Sequence, residues 1–345
     1  MDLSKTANAF IIIISVVITL IYGQGLIIPF VLAMLLWFVM RMMKTALGKI
    51  GFIKRNTPSW LQTLISTTSI LIIAGILIEI LSANIEELSI SYDKYANNLD
   101  AVITQINETF DLNIVENIKG QVNGFDFGEI LGSIFNSLSC IFGDTVMTMI
   151  YTLFVVLEET KFRDKLKMLF PEEKKYDRFN EMLEKIEDSI SAYLGMKTLL
   201  SLITGVLSFI ALKLIGIDSP SCWAFLIFVL NFIPTIGSLV ATAFPAIFSL
   251  LQFGTITPAI LVLVFVGIIQ IVVGRLLEPR MMGKSMNISP LVTIISLSFW
   301  GVIWGIVGMI LSVPITVVMI IIFSQFESTR HVAILLSDKG NIDQE

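Results

Sequence analysis

Charged side chains are scarce in this chain of 345 residues. They make up 15% of the sequence, against roughly 25% in soluble domains. Hydrophobic residues make up 55%, and the mean hydropathy is +0.85. A soluble core cannot bury that much apolar surface, so lipid must solvate part of it. The shortage of charge therefore excludes a soluble protein and predicts an all-α, polytopic integral membrane protein.

Cysteine and histidine are nearly absent as well. Cys140 and Cys222 both lie in apolar surroundings, so we expect buried thiols rather than a disulfide. One histidine, His331, cannot form a zinc motif. The tripeptide GKS at 283–285 is not a phosphate-binding loop, because that motif needs glycine where Glu278 stands. We therefore expect no metal, no cofactor, no enzyme active site and no nucleic-acid partner. Any active transport must then use an ion or solute gradient.

Acidic residues near the centre of an apolar run are also missing. Glu79 and Asp144 are the acids close to such runs, and both lie near an end. A dedicated cation–proton exchanger usually needs a carboxylate at mid-membrane depth. This absence weakens the case for such an exchanger.

Apolar runs of the length that spans a membrane, about 20 residues, are abundant. They lie near 8–22, 25–43, 60–83, 138–157, 193–213 and 257–276, and two longer, interrupted runs cover 221–252 and 288–325. The first run has no small-residue cleavage site and is followed at once by the second, so we interpret it as a span rather than a signal peptide.

Lysine and arginine between the runs predict the orientation. The loop 41–58 has five of them and no acid, which places it and the N-terminus in the cytoplasm. The acid-rich segment 84–136 is then outside, whereas 158–190, with eight Lys and Arg, and 277–287 are inside. We expect a multi-pass protein of the inner, cytoplasmic membrane with both termini cytoplasmic.

This parity makes the run 221–252 enter and leave by the same face. Its centre, NFIPTIG at 231–237, places Asn, Pro and Gly within seven residues. Irregular backbone at membrane depth survives only where protein or a water-filled cavity shields it, so we predict the tip of a re-entrant hairpin. The run 288–325 has three central glycines and two prolines. It either turns back in the same way or forms one long kinked helix packed through a GxxxG contact.

The predicted organisation has about eight hydrophobic elements, two of them interrupted or re-entrant helical hairpins. Its parts are three N-terminal spans (1–83), an outer amphipathic helical segment (84–136), a fourth span (137–157), a cytoplasmic amphipathic helix (158–192), a C-terminal core with both hairpins (193–325) and a cytoplasmic tail (326–345).

Two apolar stripes at helical spacing lie between the runs. One extends from Ile85 to Phe110 and approaches a heptad. It packs either on another subunit or on the following segment 111–136. The other extends from Tyr176 to Tyr193 and leads into the fifth span. It lies on the membrane surface or on inner loops.

The candidate functional residues form two groups. The neutral polar and tip residues suit a small hydroxyl-bearing solute, although such groups also form ordinary helix–helix hydrogen bonds. These transport-path candidates are Asn231, Pro234, Thr235, Gly237, Ser238, Gln270, Ser296 and Ser298. The gating or structural candidates are Lys197, Glu278, Pro279, Arg280, Gly283, Pro290, Gly301, Gly305, Gly308 and Pro314. Among them, we expect Lys197 to extend towards the membrane–water interface.

Three segments carry a resemblance to a known family. NFIPTIGSLVATAFPAI, LLEPRMMGKSMNISPLVTIISLSFWG and GIVGMILSVPITVV resemble the signature segments of the AI-2E (autoinducer-2 exporter) family, also called PerM-type transporters. The resemblance implies a bacterial or archaeal secondary transporter that exports the furanone signal autoinducer-2 in quorum sensing. Some members are instead associated with sodium(lithium)/proton antiport. It also implies homo-oligomers, including pentamers.

Two classes of transport function stay open at this point. One is a carrier with alternating access, in which the hairpin 221–252 moves; the other is a passive channel through an oligomer axis or a subunit. A structural scaffold would leave the broken hairpins unexplained. The expected partners are membrane lipid, a small-molecule or ion substrate and further copies of the chain.

Overall fold

The computed structural model describes residues 3–49, 145–282 and 287–338, together with isolated positions at 65, 67–69, 72, 75, 79, 98 and 340. The elements in these residues are helices. They are α1 (Leu3–Tyr22), α2 (Gln24–Lys49), α3 (Thr145–Leu169), α4 (Glu173–Ile215), α5 (Pro220–Leu230), α6 (Ile236–Phe253), α7 (Ile256–Ile271), a π-helical segment (Val272–Leu277), α8 (Glu278–Met282), α9 (Pro290–Ser324) and α10 (Arg330–Leu336).

The helices are long and apolar enough for a membrane protein. Five of them have the length and composition to cross a bilayer: Gln24–Thr45, Glu173–Ile215, Ile236–Phe253, Ile256–Met281 and Pro290–Ser324. On α1, Phe10 and Ile13 expose 62% and 60% of their surface. Exposing such apolar side chains to water is unfavourable, whereas exposing them to lipid is not. The chain is an all-α polytopic membrane protein.

The chain forms two compact units. The first contains residues 1–63, 137–193 and 285–345, and the second contains 64–136 and 194–284. Helix α4 is continuous over 43 residues, so the predicted cytoplasmic stripe and the fifth span belong to one helix. Its first half is part of one unit and its second half is part of the other.

Helix α9, in the first unit, is a helical hairpin. Its backbone breaks at Trp304 and at Gly305, where φ is +60° and ψ is −140°. The Ser296 hydroxyl lies 3.2 Å from the Ser312 carbonyl oxygen and 2.5 Å from the Thr316 hydroxyl. In a straight helix, residues 16 apart are separated by about 24 Å. The prediction of a single kinked helix packed through GxxxG is therefore wrong, and the hairpin alternative is correct.

The tip of this hairpin packs on the first two helices. Trp304 and its neighbour Trp300 form a buried cluster that contacts Leu20 of α1 and Ile27 of α2. The Trp304 indole also donates a hydrogen bond of 3.0 Å to the Leu20 carbonyl. Burying the indole ring with its N–H satisfied holds the tip against α1.

The second unit contains the other hairpin, formed by α5 and α6. Helix α5 has 11 residues and is about 16 Å long, which is too short for a hydrocarbon core of about 30 Å. Helix α6 has 18 residues. The arms pack through Trp223 and Phe248, whose ring centroids are 4.8 Å apart.

Gln252 fixes the end of this hairpin that is remote from its tip. Its amide donates to the Gly216 carbonyl at 2.8 Å and accepts from the Asp218 N–H at 2.9 Å. The Asn98 amide donates to the carbonyls of Leu251 and Gln252 at 2.8 and 3.0 Å. The two bonds from Asn98 satisfy carbonyls at the C-terminus of α6, which have no partner within the helix.

Several sequence predictions lie outside the described residues. They are the stripe from Ile85 to Phe110, most of the span 60–83, the first residues of the span 138–157, and Gly283.

Candidate transport site

The backbone between α5 and α6 departs sharply from helical geometry. Pro234 lacks the N–H that would continue the helix. Thr235 follows with φ +60° and ψ −59°, a conformation that is rare and strained for a β-branched residue. The Thr235 carbonyl accepts a hydrogen bond of 2.9 Å from the Ser238 hydroxyl. The proline and the strained turn together reverse the chain at the place that the sequence indicates.

Gly237 allows the two arms to meet immediately after the turn. A Cβ atom at this position would lie 1.8 Å from the Leu230 carbonyl oxygen and 3.0 Å from the Ile233 Cβ. Gly308 has the same relation to its hairpin, since a Cβ there would lie 1.9 Å from the Trp300 carbonyl oxygen and 3.0 Å from the Trp304 Cβ. Any side chain at either glycine would force an arm aside. In both hairpins, a glycine just after the tip lets the two arms approach closely.

A buried polar stripe on α4 lies beside the first of these tips. Lys197, Ser201, Thr204 and Ser208 are spaced by four, three and four residues and are 4%, 0%, 0% and 0% exposed. This spacing places them on one face of the helix. The amide of Asn231, itself 8% exposed, donates to the Ser201 hydroxyl at 3.3 Å. The stripe and the hairpin tip therefore meet in the interior of the second unit.

Close helix packing brings the stripe against α5. A Cβ atom on Gly205 would lie 3.2 Å from the Ala224 carbonyl oxygen and 3.4 Å from the Phe228 Cβ. Small residues at such contacts let helix backbones approach within a membrane. Gly205 thereby keeps the polar face of α4 near the hairpin.

Lys197 forms a buried ion pair with Glu278. Its ammonium lies 2.6 Å from the Glu278 carboxylate, and the two side chains are 5% and 28% exposed. Lys197 is therefore paired with this carboxylate inside the protein. Its extension towards the membrane–water interface stays a prediction. A buried ammonium without such a partner would cost several kcal/mol.

A π-helical segment immediately precedes Glu278. Over Val272–Leu277 the helix widens, and the Glu278 N–H bonds to the carbonyl of Val273, five residues back. A π turn rotates the residues that follow it relative to an α-helix, and such turns are frequent at functional sites. The segment thus sets the direction in which Glu278 leaves α8.

Three buried polar atoms in the second unit have no hydrogen-bond partner among the described residues. They are the Ser208 hydroxyl, the Trp223 indole nitrogen and the Gln270 amide nitrogen. Each unsatisfied group of this kind costs about 1–3 kcal/mol. All three can donate a hydrogen bond, and the indole and the amide nitrogen can only donate. Water or a solute that accepts hydrogen bonds would remove this cost.

The other predicted residues form local or structural contacts, or are exposed. The hydroxyls of Ser238 and Ser298 bond to backbone carbonyls within three or four residues, and Pro279 and Arg280 are exposed. In α9, Pro290 is the first residue and Pro314 is buried in the second arm. The Ser296 hydroxyl bonds across the two arms. A Cβ on Gly301 would lie 3.0 Å from the Met309 side chain. Within the described chain, no three His, Cys, Asp or Glu side chains cluster as metal ligands would.

Sequence reasoning missed Ser201, Thr204, Ser208 and Trp223. The signal for the three hydroxyl residues was present, because Lys197, Ser201, Thr204 and Ser208 recur with helical period in a largely apolar run. Trp223 carries no comparable signal, since tryptophan is common in apolar helices.

Comparison with known proteins places the chain in a family. A profile of the AI-2E family transporters matches residues 10–328. The AI-2 transport protein TqsA of Escherichia coli K12 is 28% identical over 321 residues, which cover 92% of this chain and 91% of that protein. A provisionally named transport protein of Haemophilus influenzae is 26% identical over 347 residues, with 98% and 97% coverage.

A shorter match has higher identity. A provisionally named transport protein of Borreliella burgdorferi is 42% identical over 160 residues, which span 46% of this chain and 44% of the relative's length. The profile match extends over both hairpins and over the ion pair between Lys197 and Glu278. The chain belongs to the AI-2E family of transporters.

Proposed function

We propose that this protein is a secondary transporter of the cell membrane that exports a small, neutral, polar solute such as autoinducer-2. The observation that carries the proposal is the set of buried, unsatisfied polar atoms on Ser208, Trp223 and Gln270 in the second unit. A solute with hydroxyl or carbonyl oxygens can accept hydrogen bonds from such donors. The similarity to a protein named for AI-2 transport supports this solute class.

Charge supports a neutral solute over an ionic one. Lys197 and Glu278 neutralise each other at 2.6 Å, and the remaining members of the polar stripe are hydroxyls. An ionic solute would need a fixed opposite charge to replace its hydration shell. A neutral solute needs hydrogen bonds alone.

The hairpin of α5 and α6 is the moving element in this proposal. Its tip holds a strained residue, Thr235, and the side-chain hydrogen bond from Asn231 to Ser201 of α4 is long at 3.3 Å. A strained turn with weak tethers has a low cost of rearrangement. Broken helices of this kind line substrate sites in secondary transporters.

Uptake into proteoliposomes tests the function. Purified protein is reconstituted with an imposed ion gradient, and the accumulation of autoinducer-2 and of a panel of small polyols is measured against protein-free vesicles. Gradient-driven accumulation of a hydroxyl-bearing solute supports the proposal. Flux that never exceeds the equilibrium concentration and carries electrical current would identify a passive channel instead.

A second candidate function is sodium(lithium)/proton antiport. The buried pair of Lys197 and Glu278 favours it, because a carboxylate that exchanges an ammonium partner for a cation or a proton could couple the two. Proteoliposomes that contain a pH dye distinguish the candidates. Alkalinisation driven by Na⁺ or Li⁺ alone would support antiport, and no pH change without organic solute would support solute export.

The proposed topology gives a labelling prediction. With both termini and loops 41–58, 158–190 and 277–287 in the cytoplasm, single cysteines at Lys49 or Lys174 should resist a membrane-impermeant thiol reagent in intact cells. The background lacks Cys140 and Cys222. Labelling at either position before lysis would reverse the topology, and labelling after lysis serves as the control.

We also propose a homo-oligomer, on the basis of the apolar stripe from Ile85 to Phe110. Mass measurement in nanodiscs should give particles that contain more than one chain of 38.4 kDa. Substituting apolar stripe residues with Ser should lower the number of chains per particle. Wild-type particles of one chain after mild extraction would contradict the proposal.

A further inference from the structure

A cavity of about 250 Å³ lies between α2 and α3 in the first unit. It is lined by Trp37, Arg41, Lys44 and Thr45 of α2 and by Val156 and Glu159 of α3. One water molecule occupies about 30 Å³ in the liquid, so the cavity has room for a polar group of several heavy atoms. The transport proposal makes no use of this cavity.

The cavity lies where both helices change from apolar to charged sequence. Helix α2 has no charged residue before Arg41, and α3 has none before Glu158. Trp37 and Val156 line the apolar side, and Lys44 and Glu159 line the charged side. Lipid headgroups lie at such a boundary, and tryptophan is enriched there. The position favours a lipid ligand over a soluble one.

Some of the charged side chains around the cavity form ion pairs and one does not. The Arg41 guanidinium lies 2.5 Å from the Glu187 carboxylate and 3.6 Å from that of Glu159. The Trp37 indole donates a hydrogen bond of 3.0 Å to Glu159. Lys44 has no ion-pair partner in the described part of the chain. The charges of Arg41 and Lys44 balance those of Glu159 and Glu187. Of these two cations, Lys44 is the one that can bind an added anionic group.

We propose that this cavity binds the headgroup of a phospholipid that carries both a phosphate and a primary ammonium. The phosphate accepts hydrogen bonds from the Lys44 ammonium, and the headgroup ammonium donates to the Glu159 carboxylate. Basic side chains between membrane helices bind the phosphates of lipid headgroups on the cytoplasmic side, and Lys44 would do so here. A zwitterionic headgroup leaves the local charge balanced, whereas a purely anionic one would add a negative charge beside two carboxylates.

Native mass spectrometry of delipidated protein tests the proposal with added phosphatidylethanolamine, phosphatidylglycerol or inorganic phosphate. Wild type should retain phosphatidylethanolamine most strongly. Lys44→Gln should weaken that binding about fivefold, and Lys44→Arg should restore it. Lys174→Gln, which removes an exposed lysine of α4, is the matched control and should bind as wild type does. Size-exclusion profiles establish that all variants are folded.

Glu159→Gln separates the two halves of the headgroup. It should weaken binding of phosphatidylethanolamine but not of phosphatidylglycerol, because only the former carries the ammonium. Stronger wild-type binding of phosphatidylglycerol would overturn the zwitterionic assignment. Specific binding of inorganic phosphate without lipid would overturn the lipid source, and equal lipid binding by wild type and Lys44→Gln would overturn the site.

Discussion

Gly237→Ala is expected to lower solute flux by at least about tenfold, the factor that corresponds to ~1.4 kcal/mol. Alanine favours a helix over glycine by about 1 kcal/mol, but here the added Cβ would lie 1.8 Å from the Leu230 carbonyl oxygen. Overpacking of this kind typically costs about 1–3 kcal/mol and moves the backbone. Because the nearest atom belongs to the backbone and not to a flexible side chain, relieving the overlap must move an arm of the hairpin, and the overlap outweighs the helix preference.

Gly267 provides a matched control for this substitution. It lies on α7 in the same unit, and a Cβ there would meet no atom within 4 Å. Gly267→Ala should keep wild-type flux and raise the thermal midpoint slightly. Asn231→Ala removes the hydrogen bond to Ser201 without forcing the arms apart, so it should change apparent affinity more than maximal rate. Equal flux for the two glycine variants would show that the close approach at the tip is irrelevant to transport.

Glu278→Gln is expected to destabilise the protein by about 3–5 kcal/mol, the typical cost of breaking a buried ion pair. The substitution leaves the Lys197 ammonium, which is 4% exposed, without a counter-charge. Lys197→Met should cost less, because the Glu278 side chain that remains is 28% exposed and can reach water. The double substitution should recover most of the thermal stability that Glu278→Gln loses.

The surface pair of Lys175 and Glu172 is the control for these variants. Its atoms are 2.9 Å apart, but both side chains are about two-thirds exposed. Lys175→Met should therefore change stability by less than about 1 kcal/mol. Flux through the stable double variant then separates two roles. Wild-type flux would show that the pair is structural, and lost flux at wild-type stability would show that it takes part in transport.

Both interruptions of the apolar runs, and the hairpin at the first of them, could be predicted from the sequence because their signals are local. Pro234, Thr235 and Gly237 interrupt an apolar run within a few residues, and Gly305 and Gly308 do so in the second run. Local backbone preferences act within the turn itself, so no distant contact is needed to locate it. The choice between a hairpin and a kinked helix for α9 depended on long-range contacts, and the Ser296–Thr316 contact decides it.

The partner of Lys197 could not be predicted. Glu278 is 81 residues away in the chain, and no local pattern joins the two. The π-helical segment that precedes Glu278 also has no sequence signature. In contrast, the polar stripe on α4 was within reach of periodicity arguments, because its spacing is visible in the sequence once the helix is assumed.

Solute flux as a function of concentration tests the account most directly. Initial rates are measured in proteoliposomes under an imposed ion gradient, for wild type and for Gly237→Ala at matched protein content. A carrier that works through the α5–α6 hairpin predicts a wild-type rate that saturates and collapses with the gradient, and a Gly237→Ala rate close to that of empty vesicles. Rates that rise linearly with concentration and are equal in the two proteins would contradict it.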